Sequence, residues 1–430
     1  MARDGAKEKA GTAEAIGGFL SELGTQIEIR VIIPIVEGIM RLWFHLDPRV
    51  YSEALRVRGV VEGGLARRSD RFVIFVLYAK TTLPKFTTNL IEVLSRSNLN
   101  LIIVANAELD SLTRARLLDH CHLLVERRNL GRDFGAYRDA IAVLLRRVQK
   151  IDRLILLNDS LFYFSRGLEE FITRLNGTQD FIGVTEVFEF HYHVQSFAVS
   201  FGSRVVNHPR FRKFWRKYRP ISTRRWSIHK GEITLTRRLI KLGFRPSILF
   251  QAAELRPRLV ELTVRGILET IHLLPTFFRA KLYEEVNAIL GGGENPDAVA
   301  AIETISEGVR PMEPDGVNKD APPNMLVSIG GQAEAMESWS FEILASRMVA
   351  LIAQRNQIHV GGFLFMKYLG LPIIKRDIFF RDVYTLEDVH RILTEFREPL
   401  RDEAMADLRR SGTAAHLNPF LQLLYRHGSI

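Results

Sequence analysis

Three groups of residues in this sequence combine types and spacing that can do chemistry. The first is Asn129-Leu-Gly131-Arg-Asp133-Phe-Gly135-Ala-Tyr137. Gly131 and Gly135 permit close backbone approach, and Asp133 can cap a helix beginning there or hydrogen-bond a ligand. A turn that opens a helix presents unpaired N–H groups, which suit a phosphate or a sugar ring. The plain alternative is a cap with a turn. The second group is Asn158-Asp159-Ser160, three small polar residues that stop the apolar run Leu154-Ile-Leu-Leu157. A hard divalent cation held there by oxygen ligands would offset the charge of a diphosphate. With one carboxylate, an amide and a hydroxyl, Asp159 is the candidate ligand for Mg²⁺ or Mn²⁺ in a weakened set; an Asx-rich turn is the rival reading. The third is Glu232, the single acid between Arg204 and Phe250 in a stretch dense in Arg and Lys. Neighbouring cations favour its ionised form. An ionised carboxylate can take a proton from an acceptor hydroxyl, as direct displacement at a sugar carbon requires. A structural ion pair or a helix-start acid is the alternative.

Further candidates surround these. Glu186, in Gly183-Val-Thr-Glu186, is the competing base. His193, Gln195, Ser196 and the distant His359 are candidates for contact with acceptor or donor hydroxyls, and Lys375 is a weaker one. Tyr78, at the end of an apolar run, joins Asn129, Gly131, Asp133, Gly135, Tyr137, Asn158, Asp159 and Ser160 in the expected donor-binding set. His191-Tyr-His193 has the spacing of a metal pair but lacks third and fourth ligands at suitable distances in sequence. Gly131 and Gly135 do not fit Gly-x-Gly-x-x-Gly, which argues against a dinucleotide enzyme.

These residues need elements to position them, and the pattern supplies strands alternating with helices. Strands are expected at Phe72–Tyr78, Leu101–Ala105, His122–Glu126, Arg153–Leu157, Phe181–Thr185 and Gln195–Phe201. Helices are expected at Leu83–Ser95, Ser111–His120, Asp133–Val148 and Thr234–Leu242, the last placing Glu232 at or just before a helix start. Such alternation implies an α/β, Rossmann-type, mostly parallel sheet covered on both faces, with strand ends and their loops on one edge. Arg258–Leu282 reads as one long amphipathic helix with Arg258, Glu261, Arg265, Glu269 and His272 on one face. Five sections follow: 1–70, helical and suited to a membrane surface or a partner; 71–254, the nucleotide-sugar-binding and catalytic core; 255–290, an amphipathic helical segment; 291–325, a Gly/Pro/acid-rich linker or mobile loop; and 326–430, a C-terminal section completing the core with terminal helices.

The 430 residues are 47% hydrophobic, enough to bury a large core. A formal charge of +10 favours anionic partners: nucleotide diphosphates, acidic headgroups or nucleic acid. Nucleic acid rests on charge alone, without a recognisable module or a regular aromatic platform, and is not expected as a partner. One cysteine, Cys121, excludes an intrachain disulfide and cysteine-rich zinc sites. The Lys7 and Lys9 region lacks the apolar run of a signal peptide, and no run of about eighteen apolar residues suggests a membrane span. A cytoplasmic location is expected, with residues 27–46 forming a helix packed on the core or on a partner, or lying on the inner face of the plasma membrane.

The chain resembles the rhamnan synthesis F family of bacterial polysaccharide glycosyltransferases. The likeness lies in Arg128-Asn-Leu-Gly-Arg-Asp-Phe-Gly-Ala-Tyr-Arg-Asp139, Leu156-Leu-Asn-Asp-Ser160, Gly183-Val-Thr-Glu186 and His193-Val-Gln-Ser196. It continues through Arg210-Phe-Arg-Lys-Phe-Trp215, Gly231-Glu-Ile-Thr-Leu-Thr236 and the stretch from Asn356-Gln-Ile-His359 to Pro372-Ile-Ile-Lys375. The resemblance implies a GT-A-like fold and transfer of a sugar, typically L-rhamnose from a dTDP donor, to a growing surface glycan or lipid-linked acceptor. Gly231-Glu-x-x-Leu-x-x-Arg238 is similar to the acidic motif of large inverting glycosyltransferases, which implies that Glu232 is the base. The rival expectation is a scaffold of the same fold that binds glycan or membrane partners without catalysis.

Overall fold

The computed structural model describes residues 33–78, 83–189, 191–262, 264–289, 334–418, 421, 422 and 425. The expected linker 291–325 and the first part of the 27–46 segment lie outside the described residues. Among the described residues twelve strands are formed: β1 Val57–Glu62, β2 Arg71–Leu77, β3 Asn100–Ala105, β4 Leu123–Arg127, β5 Arg153–Asn158, β6 Leu161–Tyr163, β7 Phe181–Gly183, β8 Glu186–Val187, β9 His193–Val194, β10 Ala198–Gly202, β11 Ser247–Ile248 and β12 Ile373–Lys375.

Eight of them build one sheet in the order β1-β4-β3-β2-β5-β10-β7-β11. Strands β4, β3, β2 and β5 are mutually parallel. β10 runs antiparallel to both β5 and β7, β11 is parallel to β7, and β1 is antiparallel to β4. Helices Lys85–Arg96, Ser111–His120 and Arg132–Arg147 make the crossovers. The α/β, mostly parallel expectation therefore holds. Chain direction across the sheet reverses at β2, flanked by β3 on one side and β5 on the other. The carboxyl ends of β2 and β5 lie side by side at this switch point, the position at which open α/β sheets form a ligand crevice.

The strands are apolar on both faces because both are covered. Val73, Phe75 and Leu77 of β2 pack with Phe86, Leu90 and Leu94 of Lys85–Arg96. The alternating Phe72, Ile74 and Val76 pack with Ala140, Ile141 and Leu144 of Arg132–Arg147 and with Trp215. The period of two in a strand sends neighbours to opposite layers. Residues from the last section, including Phe363, Ile373 and Leu393, join the first layer, and β12 pairs antiparallel with β6.

Two elements differ from expectation. Section 1–70 contains, besides helix Ile33–Leu46, the edge strand β1. The long helix expected over Arg258–Leu282 is three: Leu255–Val260, Val264–Ile271 and Thr276–Ile289. Pro275 lacks the N–H that would continue the second helix, so a new one starts after it. His272, read as part of a polar face, pairs with Glu395 at 3.0 Å.

Candidate active site

The carboxyl ends of β2 and β5 meet at one hydrogen-bonded group. The Tyr78 hydroxyl donates to Asp133 Oδ1 at 2.9 Å, and Asn158 Nδ2 donates to Asp133 Oδ2 at 2.8 Å. Tyr78 N donates to Asp159 Oδ2 at 2.7 Å. Asn158 Oδ1 accepts from Ser160 N at 3.1 Å and from Ser160 Oγ at 2.6 Å. Register explains the convergence, because Val76 of β2 lies opposite Asn158 of β5. Asp133 enters from the first turn of helix Arg132–Arg147.

That helix starts on an unusual backbone. Gly131 has φ +81° and the next residue, Arg132, has φ +53°. The left-handed region is easy for glycine and uncommon for arginine. Gly131 N donates to Ser222 Oγ at 2.8 Å. A Cβ on Gly131 would run into Pro220, and one on Gly135 into the Leu130 carbonyl. The close approach these two glycines allow is thus to the protein's own chain. Asn129 is exposed and takes no part in the network. Tyr137 is fully buried, and its hydroxyl donates to the Ser196 carbonyl at 3.2 Å, which fixes the Ser196 turn.

Glu232 lies inside a helical path that begins upstream of it, not at or before the helix start expected at Thr234. Ser227–Ile233 is a π-helix running into helix Thr234–Lys241, the kind of widened turn that marks many functional sites. Glu232 Oε1 accepts from Ser196 N at 3.0 Å and Ser196 Oγ at 2.6 Å. Its Oε2 lies 3.7 Å from His193 Nε2, while His193 Nδ1 is engaged by the His191 carbonyl at 2.8 Å. The side chain of Glu232 keeps 17% of its surface exposed. Its direct partners are therefore Ser196 and His193, and the Arg/Lys run around it in sequence supplies none of these bonds. Gln195 is braced between Thr185 Oγ1, which donates to its Oε1 at 2.7 Å, and Asn356 Oδ1, which accepts from its Nε2 at 3.1 Å. Glu186 bonds Tyr192 on the β8–β9 hairpin, where burial raises its pKa. The structure does not join it to the Glu232 group.

The last section closes the site, which sequence spacing did not reveal. Lys375 Nζ donates to Ser160 Oγ at 2.9 Å and lies 4.7 Å over the Phe197 ring. Arg376 donates to the Asp159 carbonyl at 2.8 Å and grips Asp407 with two bonds of 2.8 and 2.7 Å. His359 Nε2 lies 2.9 Å from Asp377 Oδ1, and Arg381 pairs with Asp377 Oδ2. Burial pushes Asp133 up, offset by Arg132, Tyr78 and Lys375. Burial also carries Asp159 up to about 7 against the Tyr78 N–H and Arg376.

The donor set does not fit the Mg²⁺ or Mn²⁺ expected at Asp159. Both oxygens of Asp133, the amide oxygen of Asn158 and one oxygen of Asp159 are taken by protein donors. A lysine ammonium occupies the Ser160 hydroxyl, and Asp159, raised to about 7, is only partly ionised near neutral pH. Among the described residues no three His, Cys, Asp or Glu side chains are grouped to hold a metal ion.

Comparison with known proteins bears on this site. The uncharacterized protein y4gN of Sinorhizobium fredii (strain NBRC 101917 / NGR234) is 30% identical over 239 residues, 54% of this chain and 62% of that protein. Virulence protein VirA of Vibrio anguillarum (strain ATCC 68554 / 775) is 29% identical over 114 residues, 26% of this chain and 36% of that protein. The chain thus spans less than two thirds of the length of these curated relatives. The mannosyltransferase PcManGT from Pyrobaculum calidifontis, solved with GDP-Man and Mn²⁺, overlaps 75% of this chain and 98% of its own at 13% identity and a TM-score of 0.26. Residues 101–273 match the sequence family described as Rhamnan synthesis protein F. That matched stretch carries Asp133, Asn158, Asp159, Ser196 and Glu232.

Proposed function

We propose that this protein is a glycosyltransferase that moves a sugar from a nucleoside-diphosphate donor to a hydroxyl of a surface glycan or lipid-linked acceptor, with inversion at the anomeric carbon. The family match over residues 101–273 supports glycan synthesis, and a dTDP-rhamnose-like donor is the finer reading. One observation carries the chemistry: Glu232 has one oxygen fixed twice by Ser196 and the other free of hydrogen bonds from described residues. The acceptor O–H gives its proton to Glu232 Oε2 as its oxygen attacks the anomeric carbon. The carbon–oxygen bond to the diphosphate breaks, and the electron pair leaves with the nucleoside diphosphate. Tyr78, Asp133 and Asn158 would orient the donor at the crevice, which is worth a large share of such a barrier.

Helix Ile33–Leu46 leaves Ile35, Ile39, Leu42, Trp43 and Leu46 exposed. That face supports placement on a bilayer beside a lipid-linked acceptor; no described helix is long and apolar enough to cross one. The transferase reading is tested with Glu232→Gln, which should abolish transfer while donor affinity stays within about twofold. Undiminished turnover in that variant overturns it.

A further inference from the structure

The acids at the crevice are supplied with donors, whereas two of its cations are not. Asp133 is bonded by Tyr78 and Asn158, Glu232 by Ser196, and Asp377 by His359 and Arg381. The side chains of Arg132 and Arg224, both half-buried, make no hydrogen bond or ion pair with any described residue. Arg224 lies within electrostatic reach of Arg132, Arg381, Asp377 and Glu232, and Lys375 within reach of Asp133, Asp377, Glu232 and Arg381. Two like-charged guanidinium groups within electrostatic reach of each other, each with five N–H donors, are costly when partly buried unless an anion takes those bonds. Burial lowers Arg224 to about 10 and lowers Lys375 as well, so both cations are partly stripped of water. The three come from separate parts of the chain: the left-handed turn before helix Arg132–Arg147, the segment before the π-helix, and the end of β12.

We propose that Arg132, Arg224 and Lys375 bind the diphosphate of the donor and balance the charge on the leaving group, in the role a divalent cation would otherwise fill. This rests on the transferase reading above. Planar guanidinium forks and an ammonium match the several non-bridging oxygens of a diphosphate. Lys375 is already directed to this edge by Ser160.

The test is calorimetric titration of the full chain with UDP, dTDP, GDP and farnesyl diphosphate, in EDTA and in Mn²⁺. At least one nucleoside diphosphate should bind with affinities within about threefold in the two buffers. Lys375→Met and Arg224→Met should each weaken it roughly ten- to hundredfold, the range expected for losing a charge-assisted bond. Lys375→Arg should retain affinity to within about threefold; it carries the test if the methionine variants melt early. Three results overturn the proposal: affinity that falls more than about tenfold in EDTA, binding untouched in folded Lys375→Met and Arg224→Met, or tighter binding of farnesyl diphosphate than of any nucleotide. The first two leave the transferase reading standing. Failure of every nucleotide to bind in either buffer removes that reading, and this proposal with it.

Discussion

Ser196 holds Glu232 through two hydrogen bonds to a single oxygen, one from its backbone N–H at 3.0 Å and one from its hydroxyl at 2.6 Å. The turn carrying Ser196 is itself pinned, since Tyr137 bonds the Ser196 carbonyl from the core of helix Arg132–Arg147. Glu232 is therefore oriented by a residue thirty-six positions away, in the β9–β10 loop. Ser196→Ala removes the shorter bond and keeps the N–H. Transfer rate should fall roughly ten- to hundredfold with donor affinity unchanged, because a charge-assisted hydrogen bond is worth about 1.5–3 kcal/mol. Steady-state kinetics alongside donor titration separates the two effects.

Asp159 makes stability depend on pH in an unusual direction. Burial lifts its pKa from the ordinary 3.8 to about 7. Between those values the folded chain keeps a proton that the unfolded chain has lost. Its contribution to stability therefore declines as pH rises through that window and levels off above it. Asp159→Asn keeps an acceptor for Tyr78 N and removes the titration. Urea unfolding at about pH 4.5 and about pH 7.5 should show the variant gaining on the parent by a few kcal/mol at the higher pH. Other titrating groups are common to both proteins and cancel in the comparison.

Asp139, itself fully buried, is the centre of an ion network. Arg56 bonds it at 2.6 and 2.9 Å, Arg127 at 3.1 Å and Arg138 at 2.9 Å. Arg56 also donates to the carbonyls of Arg49, Val50 and Ser52, so the network ties the segment before β1 to helix Arg132–Arg147. Asp139→Ala leaves buried guanidinium groups without their counter-ion. A loss of about 3–5 kcal/mol is expected in chemical denaturation. A variant within about 1 kcal/mol of the parent would contradict this account.

Gly131 and Gly243 share a left-handed backbone, with φ +81° and +87°. An added Cβ at Gly131 collides with Pro220, while at Gly243 it meets nothing within 4 Å. Gly243→Ala should cost about 1–2 kcal/mol, the backbone term alone. Gly131→Ala should cost more and also weaken nucleotide binding, because the turn sets Asp133 and Arg132. Melting curves and titration of both variants check the contrast.

Much of the scaffold was legible in the chain. Apolar runs alternating with amphipathic stretches announce β2 to β5 and their three helices, because a strand buried on both faces and a helix buried on one each leave a local period. The same reasoning put Tyr78, Asp133 and Asn158 on one edge and singled out Glu232, whose isolation among cations is a property of composition. What the chain alone could not determine is how side chains pair across distance. Lys375 meets Ser160 over 215 positions, and Arg376 meets Asp159 over 217. Nothing in local spacing encodes such a contact, which arises when β12 pairs with β6. The direction of the Asp159 carboxylate, turned to Tyr78 N, was likewise decided by tertiary packing. So was the widening of the helix at Glu232: a π-turn follows from what the surrounding core accommodates, here Gly231 against the Phe134 ring, where a Cβ would come within 2.8 Å.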